Sequence, residues 1–213
     1  MKVKRCSLYV SIGFLSAFIF WTVLVRFVDV APIGPNGSKV GLSSLNNLVK
    51  ELIGSHLALY TLTDWLGLLP LTVAFGFALL GVYQWVKRKS ILKVDRNILL
   101  LGVFYAILFG TYILFEYVVI NYRPILINGR LESSYPSSTT MLATCVIPTC
   151  IMQLNKRMKL CFLKRVLITT SVIFVVFMVI GRLVSGVHWF TDIVGGLLYS
   201  IGLIALYCFF SNR

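Results

Sequence analysis

Residues 181–192 of this 213-residue chain read GRLVSGVHWFTD and lie across the junction of two long apolar stretches, 166–187 and 190–210. Each stretch is long enough to cross the hydrocarbon core of a bilayer, which takes about 20 apolar helical residues. Arg182 stands out, because a charged side chain within a membrane helix is costly unless it faces protein or a polar cavity. The junction therefore predicts two membrane helices that hold a group of polar side chains at one end.

The composition extends this prediction to the whole chain. Hydrophobic residues make up 58% of the sequence, charged residues only 13%, and the mean hydropathy is +0.89, whereas about 25% of the residues in a soluble domain are charged. Six stretches are long and apolar enough, or nearly so, to span a bilayer: 7–28, 66–86, 97–120, 139–154, 166–187 and 190–210. We therefore predict an all-α fold, a six-helix transmembrane bundle that forms a single domain over residues 1–213.

The segment 29–65 between the first two stretches is too long for a simple turn. Its first part is rich in Pro and Gly, which indicates a loop. It continues with apolar residues at helical spacing, with Ser44 as a candidate N-cap and Gly54 as a stop signal. The pattern predicts a short amphipathic helix, either lying on the membrane surface or packed on the bundle.

The positive charges predict the orientation. Fourteen of the 20 Lys and Arg residues lie in the segments 1–6, 87–96, 155–165 and 211–213, and such an excess marks the cytoplasmic side. We expect a multi-pass protein of the cell membrane with both termini in the cytoplasm. Residues 1–28 are expected to be a retained anchor, the alternative being a cleaved signal peptide. The net charge of +13 is spread over short loops, which argues against nucleic-acid binding.

Three polar groups of residues fall at the predicted outer ends of the helices. Arg123-Pro124 follows the third stretch, residues 135–140 lead into the fourth, and the third group extends from the fifth stretch into the sixth. This third group consists of Arg182, His188 and Asp192. Because the topology brings all three groups to one face, we expect them to form a single site.

The residue types in these groups are those of a phosphoryl-transfer site. Arg123 and Arg182 carry guanidiniums whose donors suit phosphate oxygens. A helix start at 136–139 offers backbone N–H groups and hydroxyls to an anion, and the residues expected to contact it are Ser137, Ser138 and Thr139. Asp192 can hold one ring nitrogen of His188 and leave the other as a nucleophile. We expect neither a metal nor another cofactor.

This pattern resembles the signature of the type 2 phosphatidic acid phosphatase superfamily, the membrane relatives of vanadium haloperoxidases. That signature consists of Lys-x6-Arg-Pro, then Pro-Ser-Gly-His, then Arg-x5-His-x3-Asp, and the third element is intact here as Arg182-x5-His188-x3-Asp192. The resemblance implies a six-helix membrane phosphatase, with His188 as nucleophile and Asp192 as its orienting partner. It also implies that Arg123 and Arg182 bind the phosphate of a lipid substrate.

Two positions depart from the signature. Glu116 occupies the position of the lysine in the first element, and it serves either as a salt-bridge partner that holds an arginine or as a proton donor. Thr139 replaces the histidine of the second element, which protonates the leaving group in the family. A general acid typically contributes about 10²–10⁴-fold to the rate, and threonine cannot serve as one at neutral pH.

The missing acid bears on the substrate. Phosphate leaving from a diphosphate has a second pKa of about 6 and needs protonation far less than an alkoxide does. We therefore expect a lipid diphosphate, with polyprenyl diphosphate preferred, hydrolysed at the outer face through a phosphohistidine. The alternative is a catalytically impaired member that binds or translocates phospholipid head groups, and a small transporter is a third hypothesis. The sequence does not indicate the oligomeric state.

Overall fold

The computed structural model describes residues 2–211, with side chains from Arg5 onward. The regular secondary structure of this part of the chain is helical, which confirms the all-α prediction. Its eight α-helices are α1 Lys2–Phe27, α2 Ser43–Ile53, α3 Leu57–Leu66, α4 Leu68–Arg88, α5 Arg96–Tyr117, α6 Ser138–Arg157, α7 Phe162–Val184 and α8 Phe190–Ser211.

Five helical stretches within the described residues are long and apolar enough to cross a membrane. They are Arg5–Phe27, Leu57–Arg88, Arg96–Tyr117, Phe162–Val184 and Phe190–Ser211. The remaining predicted span corresponds to α6, which is 20 residues long but rich in Thr. This helix packs against α4, α5, α7 and α8, so the protein rather than the lipid surrounds much of its surface. The predicted bundle thus consists of five apolar spans around one more polar, interior helix.

The second span begins earlier than predicted, because residues 57–66 form α3 instead of loop. The backbone of Gly67 is helical, and its N–H donates to the carbonyls of Thr63 and Asp64. Pro70 lies in the first turn of α4, where its missing N–H group costs no helical hydrogen bond. As a result α3 leads directly into α4 and packs against α7.

One end of the bundle collects the polar groups predicted from the sequence. We call it the site end and define it by α2, residues 118–137 and the turn 185–189. Backbone hydrogen bonds join its parts: Ser137 N–H donates to the Asp192 carbonyl (3.1 Å), and His56 N–H donates to the Ser185 carbonyl (3.0 Å). The opposite end contains basic residues from the predicted cytoplasmic segments, among which Arg88 and Arg157 pair with Asp95.

Glycines in α8 allow the residues before α6 to lie close to that helix. A Cβ atom on Gly195 would lie 2.6 Å from the ring of Tyr135, and one on Gly196 would lie 3.3 Å from the carbonyl oxygen of Ser137. Tyr135 is fixed in this position by a 2.7 Å hydrogen bond between its hydroxyl and that of Thr22 in α1. Close contact at small residues is a common way for membrane helices to pack, and here it determines where α6 begins.

The amphipathic helix α2 packs on the bundle with its polar face inward. Ser43 and Asn46 are buried, whereas Leu48 and Leu52 are exposed. The helix ends at Gly54 as predicted, but the prediction of Ser44 as N-cap is wrong. Asp29 performs that function, since its carboxylate accepts hydrogen bonds from the Ser43 hydroxyl (2.9 Å) and the Ser44 N–H (2.7 Å). These bonds also lower the pKa of Asp29.

Buried amide side chains attach α2 to the start of α8. Asn46 accepts a hydrogen bond from Thr191 N–H (3.2 Å) and donates to the Gly41 carbonyl (2.9 Å) and the Thr191 hydroxyl (3.0 Å). Asn121 accepts a bond from Gly41 N–H (3.1 Å). These contacts satisfy backbone groups that a helix start leaves without intrahelical partners, and they connect α2 to the residues that follow His188.

We predict that Asn46→Ala destabilises the protein, because it leaves the buried Thr191 N–H and Gly41 carbonyl without their partner. A buried unsatisfied group costs about 1–3 kcal/mol. The measurement is thermal unfolding in detergent, followed by tryptophan fluorescence. The control is Asn47→Ala at the neighbouring exposed position, where the side chain donates only to Glu51. An equal change in the two variants would contradict the assignment.

Candidate functional site

His188 lies in the turn between α7 and α8 and is 5% exposed. Its Nδ1 lies 3.1 Å from the carbonyl oxygen of Ser134, and its Nε2 lies 3.2 Å from Nη2 of Arg182. Because a guanidinium can only donate hydrogen bonds, Nε2 is the acceptor and Nδ1 carries the hydrogen. The surroundings thus select the neutral tautomer that has its lone pair on Nε2.

Asp192 lies close to the histidine but contacts it more weakly than expected. The distance from its Oδ2 to His188 Nδ1 is 3.6 Å, whereas the same oxygen accepts a 2.9 Å hydrogen bond from Trp189 N–H. Its carboxylate is fully buried. The direct hydrogen-bond acceptor of the imidazole is therefore the Ser134 carbonyl, which sequence reasoning missed because a backbone oxygen leaves no signature in the side chains.

The charge state of His188 follows from its surroundings. Burial, together with the positive charges of Arg182 and Arg123, lowers the pKa of His188 well below its ordinary value. Each of these effects disfavours the protonated ring. At neutral pH the imidazole is uncharged, which is the state that a nucleophile requires.

Arg182 is buried at the end of α7 and is held by side chains of α3. Its Nη1 lies 3.5 Å from Oδ1 of Asp64 and 3.4 Å from the hydroxyl of Thr63. The guanidinium also lies over the ring of Tyr60, 5.3 Å from the centroid. Sequence reasoning missed these three partners, because it assigned residues 57–65 to a loop. The available signal in the sequence was the apolar stretch that runs from residue 57 through Gly67.

Arg123 lies on a short antiparallel loop between α5 and α6. Its backbone N–H donates to the Glu132 carbonyl (3.0 Å), and its Nε lies 3.1 Å from the Glu132 carboxylate. A tight turn at Asn128 and Gly129, both with positive φ, reverses the chain. This Asn-Gly pair is a hairpin signal that could have revealed the loop. Among the residues that the structure describes, Nη1 of Arg123 and Nε of Arg182 are buried and have no hydrogen-bond partner, so both can donate to a ligand.

Among the described residues Glu116 forms no salt bridge with an arginine, so that alternative for its role is wrong, and the acid that pairs with Arg123 is Glu132. Glu116 instead accepts a 2.7 Å hydrogen bond from the hydroxyl of Ser133. It nevertheless faces the same narrow cleft as Arg123 and His188. The other residues of this cleft are Tyr112, Phe115, Ser133, Ser134, Tyr135, Pro136, Ser138 and Met141.

The three residues predicted to bind phosphate at the start of α6 occupy different environments. Ser137 is buried as the N-cap, and its hydroxyl accepts hydrogen bonds from the N–H (3.4 Å) and the hydroxyl (3.0 Å) of Thr140. Ser138 faces the cleft. Thr139 instead packs beside Gly67, where an added Cβ would lie 3.3 Å from its methyl group. Of these three residues, Ser138 is the one that lines the cleft.

Lys50 of α2 joins two segments that flank the site, and no sequence pattern predicted this contact. Its Nζ donates to the Pro124 carbonyl (3.2 Å) and lies 5.1 Å from the centroid of the Trp189 ring. Partial burial lowers the pKa of Lys50. The contact holds α2 against the neighbours of both Arg123 and His188.

We predict that the ring of His188 remains neutral as the pH falls through 6.5, with the hydrogen on Nδ1. A His56→Gln variant leaves His188 as the only histidine, so that ¹⁵N chemical shifts of the imidazole report on this ring alone. Adding Arg182→Gln removes a nearby positive charge and should raise the pKa of His188. Protonation at the ordinary pKa, or a hydrogen on Nε2, would contradict this description.

Comparisons with known proteins agree with the helical membrane fold. A search of the curated proteins gives no significant match. Among solved structures, the fold is similar to the crystal structure of a transmembrane PAP2-type phosphatidylglycerolphosphate phosphatase from Bacillus subtilis, with a TM-score of 0.63, 22% sequence identity and coverage of 96% of each chain. The sequence model of the PAP2 superfamily matches residues 104–213, which include Arg123, the start of α6 and the 181–192 segment. The chain therefore belongs to the PAP2 superfamily of membrane phosphatases.

Proposed function

We propose that this protein hydrolyses a lipid phosphate through a phosphohistidine intermediate formed on His188. The observation that carries the proposal is the position of His188 Nε2, which keeps its lone pair and lies 3.2 Å from a buried guanidinium. A nucleophilic nitrogen beside a phosphate-binding cation is the arrangement that in-line attack on phosphorus requires.

The reaction proceeds in two displacements. Nε2 of His188 attacks phosphorus, the bond to the leaving oxygen breaks, and that oxygen departs with the electron pair. Water then attacks the phosphohistidine, inorganic phosphate is released and Nε2 regains its lone pair. Arg123 and Arg182 neutralise the charge on the equatorial oxygens in both steps, while the first backbone N–H groups of α6 offer further donors. In this scheme the guanidiniums, and not a metal ion, supply the positive charge.

A lipid diphosphate, with polyprenyl diphosphate preferred, is the substrate that suits this set of residues. Thr139 provides no acid for the leaving oxygen, and its methyl group packs beside Gly67. The phosphate that leaves a diphosphate needs that acid far less than an alkoxide does. The charge distribution favours the outer membrane face for the site, where recycling of such a carrier lipid would take place.

A second candidate function is lipid head-group binding or translocation without hydrolysis. Glu116 favours it, because a carboxylate faces the cleft where other members carry a phosphate-binding lysine. The two candidates differ in whether phosphate is released, so one assay decides between them.

We predict that the purified protein releases phosphate from polyprenyl diphosphate faster than from polyprenyl monophosphate, phosphatidic acid or phosphatidylglycerophosphate, with or without EDTA. His188→Ala should lower the rate at least about 10³-fold, because it removes the nucleophile. His56→Ala, an exposed histidine of the same chain, serves as the matched control and should retain activity. Lipid binding without release from any substrate would favour the second candidate function. Faster release from the monoesters would contradict the diphosphate preference.

We further predict that Thr139→His raises turnover of the monoesters more than that of the diphosphate. A histidine here supplies a general acid, and the gain should be largest for the most basic leaving group. The comparison uses kcat/KM for the matched polyprenyl monophosphate and diphosphate. Equal gains for both substrates, or no gain, would contradict the leaving-group argument.

A further inference from the structure

We propose that Asp64 of α3 accepts the proton of the attacking water when the phosphohistidine is hydrolysed. This inference rests on the proposed function and deepens it. Hydrolysis through a phosphohistidine involves two proton transfers, one to the leaving oxygen and one from the attacking water. A diphosphate substrate makes the first transfer dispensable, but the second is needed for every substrate.

Arg182 places Asp64 near the reacting atoms. One terminal nitrogen of the guanidinium lies 3.2 Å from His188 Nε2, and the other lies 3.5 Å from Asp64 Oδ1. The same planar group therefore contacts both the nucleophile and the carboxylate. A phosphoryl group that is carried on Nε2 and bound by Arg182 would lie beside the carboxylate.

Hydrolysis of the intermediate needs a base close to the attacking water. A water in position for attack lies about 3–3.5 Å from phosphorus, and a base takes its proton over about 2.6–3.2 Å. The guanidinium of Arg182 contacts both Nε2 and the carboxylate of Asp64 (3.2 and 3.5 Å), so Asp64 is the acid that its salt bridge holds next to the phosphate-binding group. In-line attack needs the water on the side of phosphorus opposite Nε2, and we assign Asp64 to that side.

The side chain of Thr139 and the backbone at the end of α3 both lie beside Gly67. A Cβ on Gly67 would lie 3.0 Å from the carbonyl oxygen of Asp64 and 3.3 Å from the methyl group of Thr139. The last turn of α3 is thus next to the position where the family carries its histidine. A carboxylate of α3 can therefore accept a proton in the region where a histidine at position 139 would do so.

Each of the other six acidic side chains has a hydrogen-bond or salt-bridge partner of its own, and two of them lie at the site, Glu116 in the cleft and Asp192 beside His188. The chain has seven Asp and Glu residues. Asp29 caps α2, Glu51 bonds Asn47, Asp95 belongs to the opposite end, Glu116 bonds Ser133, Glu132 pairs with Arg123, and Asp192 bonds Trp189 N–H. The side chain of Asp64 is 58% exposed and pairs with Arg182, which in turn contacts the nucleophile.

The proposed step is balanced. The water oxygen forms a bond to phosphorus, the bond between phosphorus and Nε2 breaks, and its electron pair returns to the imidazole. The water proton moves to the carboxylate of Asp64 and then to bulk water. Before substrate binds, the same carboxylate pairs with Arg182, and this pairing holds it in place.

The test is quenched-flow kinetics of Asp64→Asn with polyprenyl diphosphate labelled at the terminal phosphate, with an alkaline quench that preserves phosphohistidine. We expect a burst of the polyprenyl monophosphate product of about one equivalent per protein, accumulation of labelled protein, and a steady-state rate lower by about 10²-fold. Asp64→Glu should restore most of the turnover. Glu51→Gln, an exposed acid of α2, is the matched control and should behave like the wild type.

Other outcomes overturn the inference in distinguishable ways. If Asp64 only anchors Arg182, Asp64→Asn slows formation and hydrolysis of the intermediate together, and no labelled protein accumulates. If Glu116→Gln accumulates the intermediate and Asp64→Asn does not, the base is Glu116. The double variant Asp64→Asn/Thr139→His should recover turnover, and failure to recover it in a folded protein contradicts the shared role. If the wild type forms no phosphohistidine, the proposed function itself fails.

Discussion

The contact between the buried guanidinium of Arg182 and the imidazole of His188 constrains most of the site end. A charged side chain within a membrane helix is stable only where protein groups compensate its charge and its donors. On one side of the guanidinium this compensation comes from Tyr60, Thr63 and Asp64 of α3. On the other side it comes from the lone pair of His188. For Nε2 to accept that bond, Nδ1 must carry the hydrogen and needs its own acceptor, which the loop before α6 provides. One buried cation thus requires α3, the 185–189 turn and that loop to meet.

The polar character of α6 follows from the same arrangement. This helix begins at Ser138 beside the site and packs against four other helices, so its threonines find partners inside the protein. Thr144 bonds Ser200 (2.7 Å), and Thr149 bonds Tyr105 (3.0 Å). Hydroxyl pairs of this kind join membrane helices that lack a hydrophobic driving force for association. The least apolar of the predicted spans is therefore the one that holds the bundle together around the site.

The sequence predicted the features that depend on local pattern. Hydropathy located helices at all six predicted stretches, five of which are long and apolar enough to cross a membrane, and His188 contacts both Arg182 and Asp192, as the spacing of the three residues predicted. The partners from distant segments were not predictable in this way. Ser134 acts through a backbone carbonyl, Glu132 pairs with Arg123 only because a hairpin reverses the chain, and Asp64 fell in the segment 29–65 before the predicted second span. The helix that contains Asp64 leads into α4 because the backbone of Gly67 stays in the helical region.

The orientation of α2 relates the site to the membrane. A surface helix usually directs its apolar face to the protein, whereas α2 buries Asn46 and exposes Leu48 and Leu52. Exposed leucines are tolerated where lipid replaces water, so this face suits the boundary between head groups and acyl chains. The opposite face of α2 holds Lys50 against Pro124 and Trp189, the neighbours of Arg123 and His188. In the proposed function, a helix that lies at this boundary and contacts both segments would place the two arginines at the depth of lipid phosphates. The site would then take a phosphate from a lipid without drawing the acyl chain out of the bilayer.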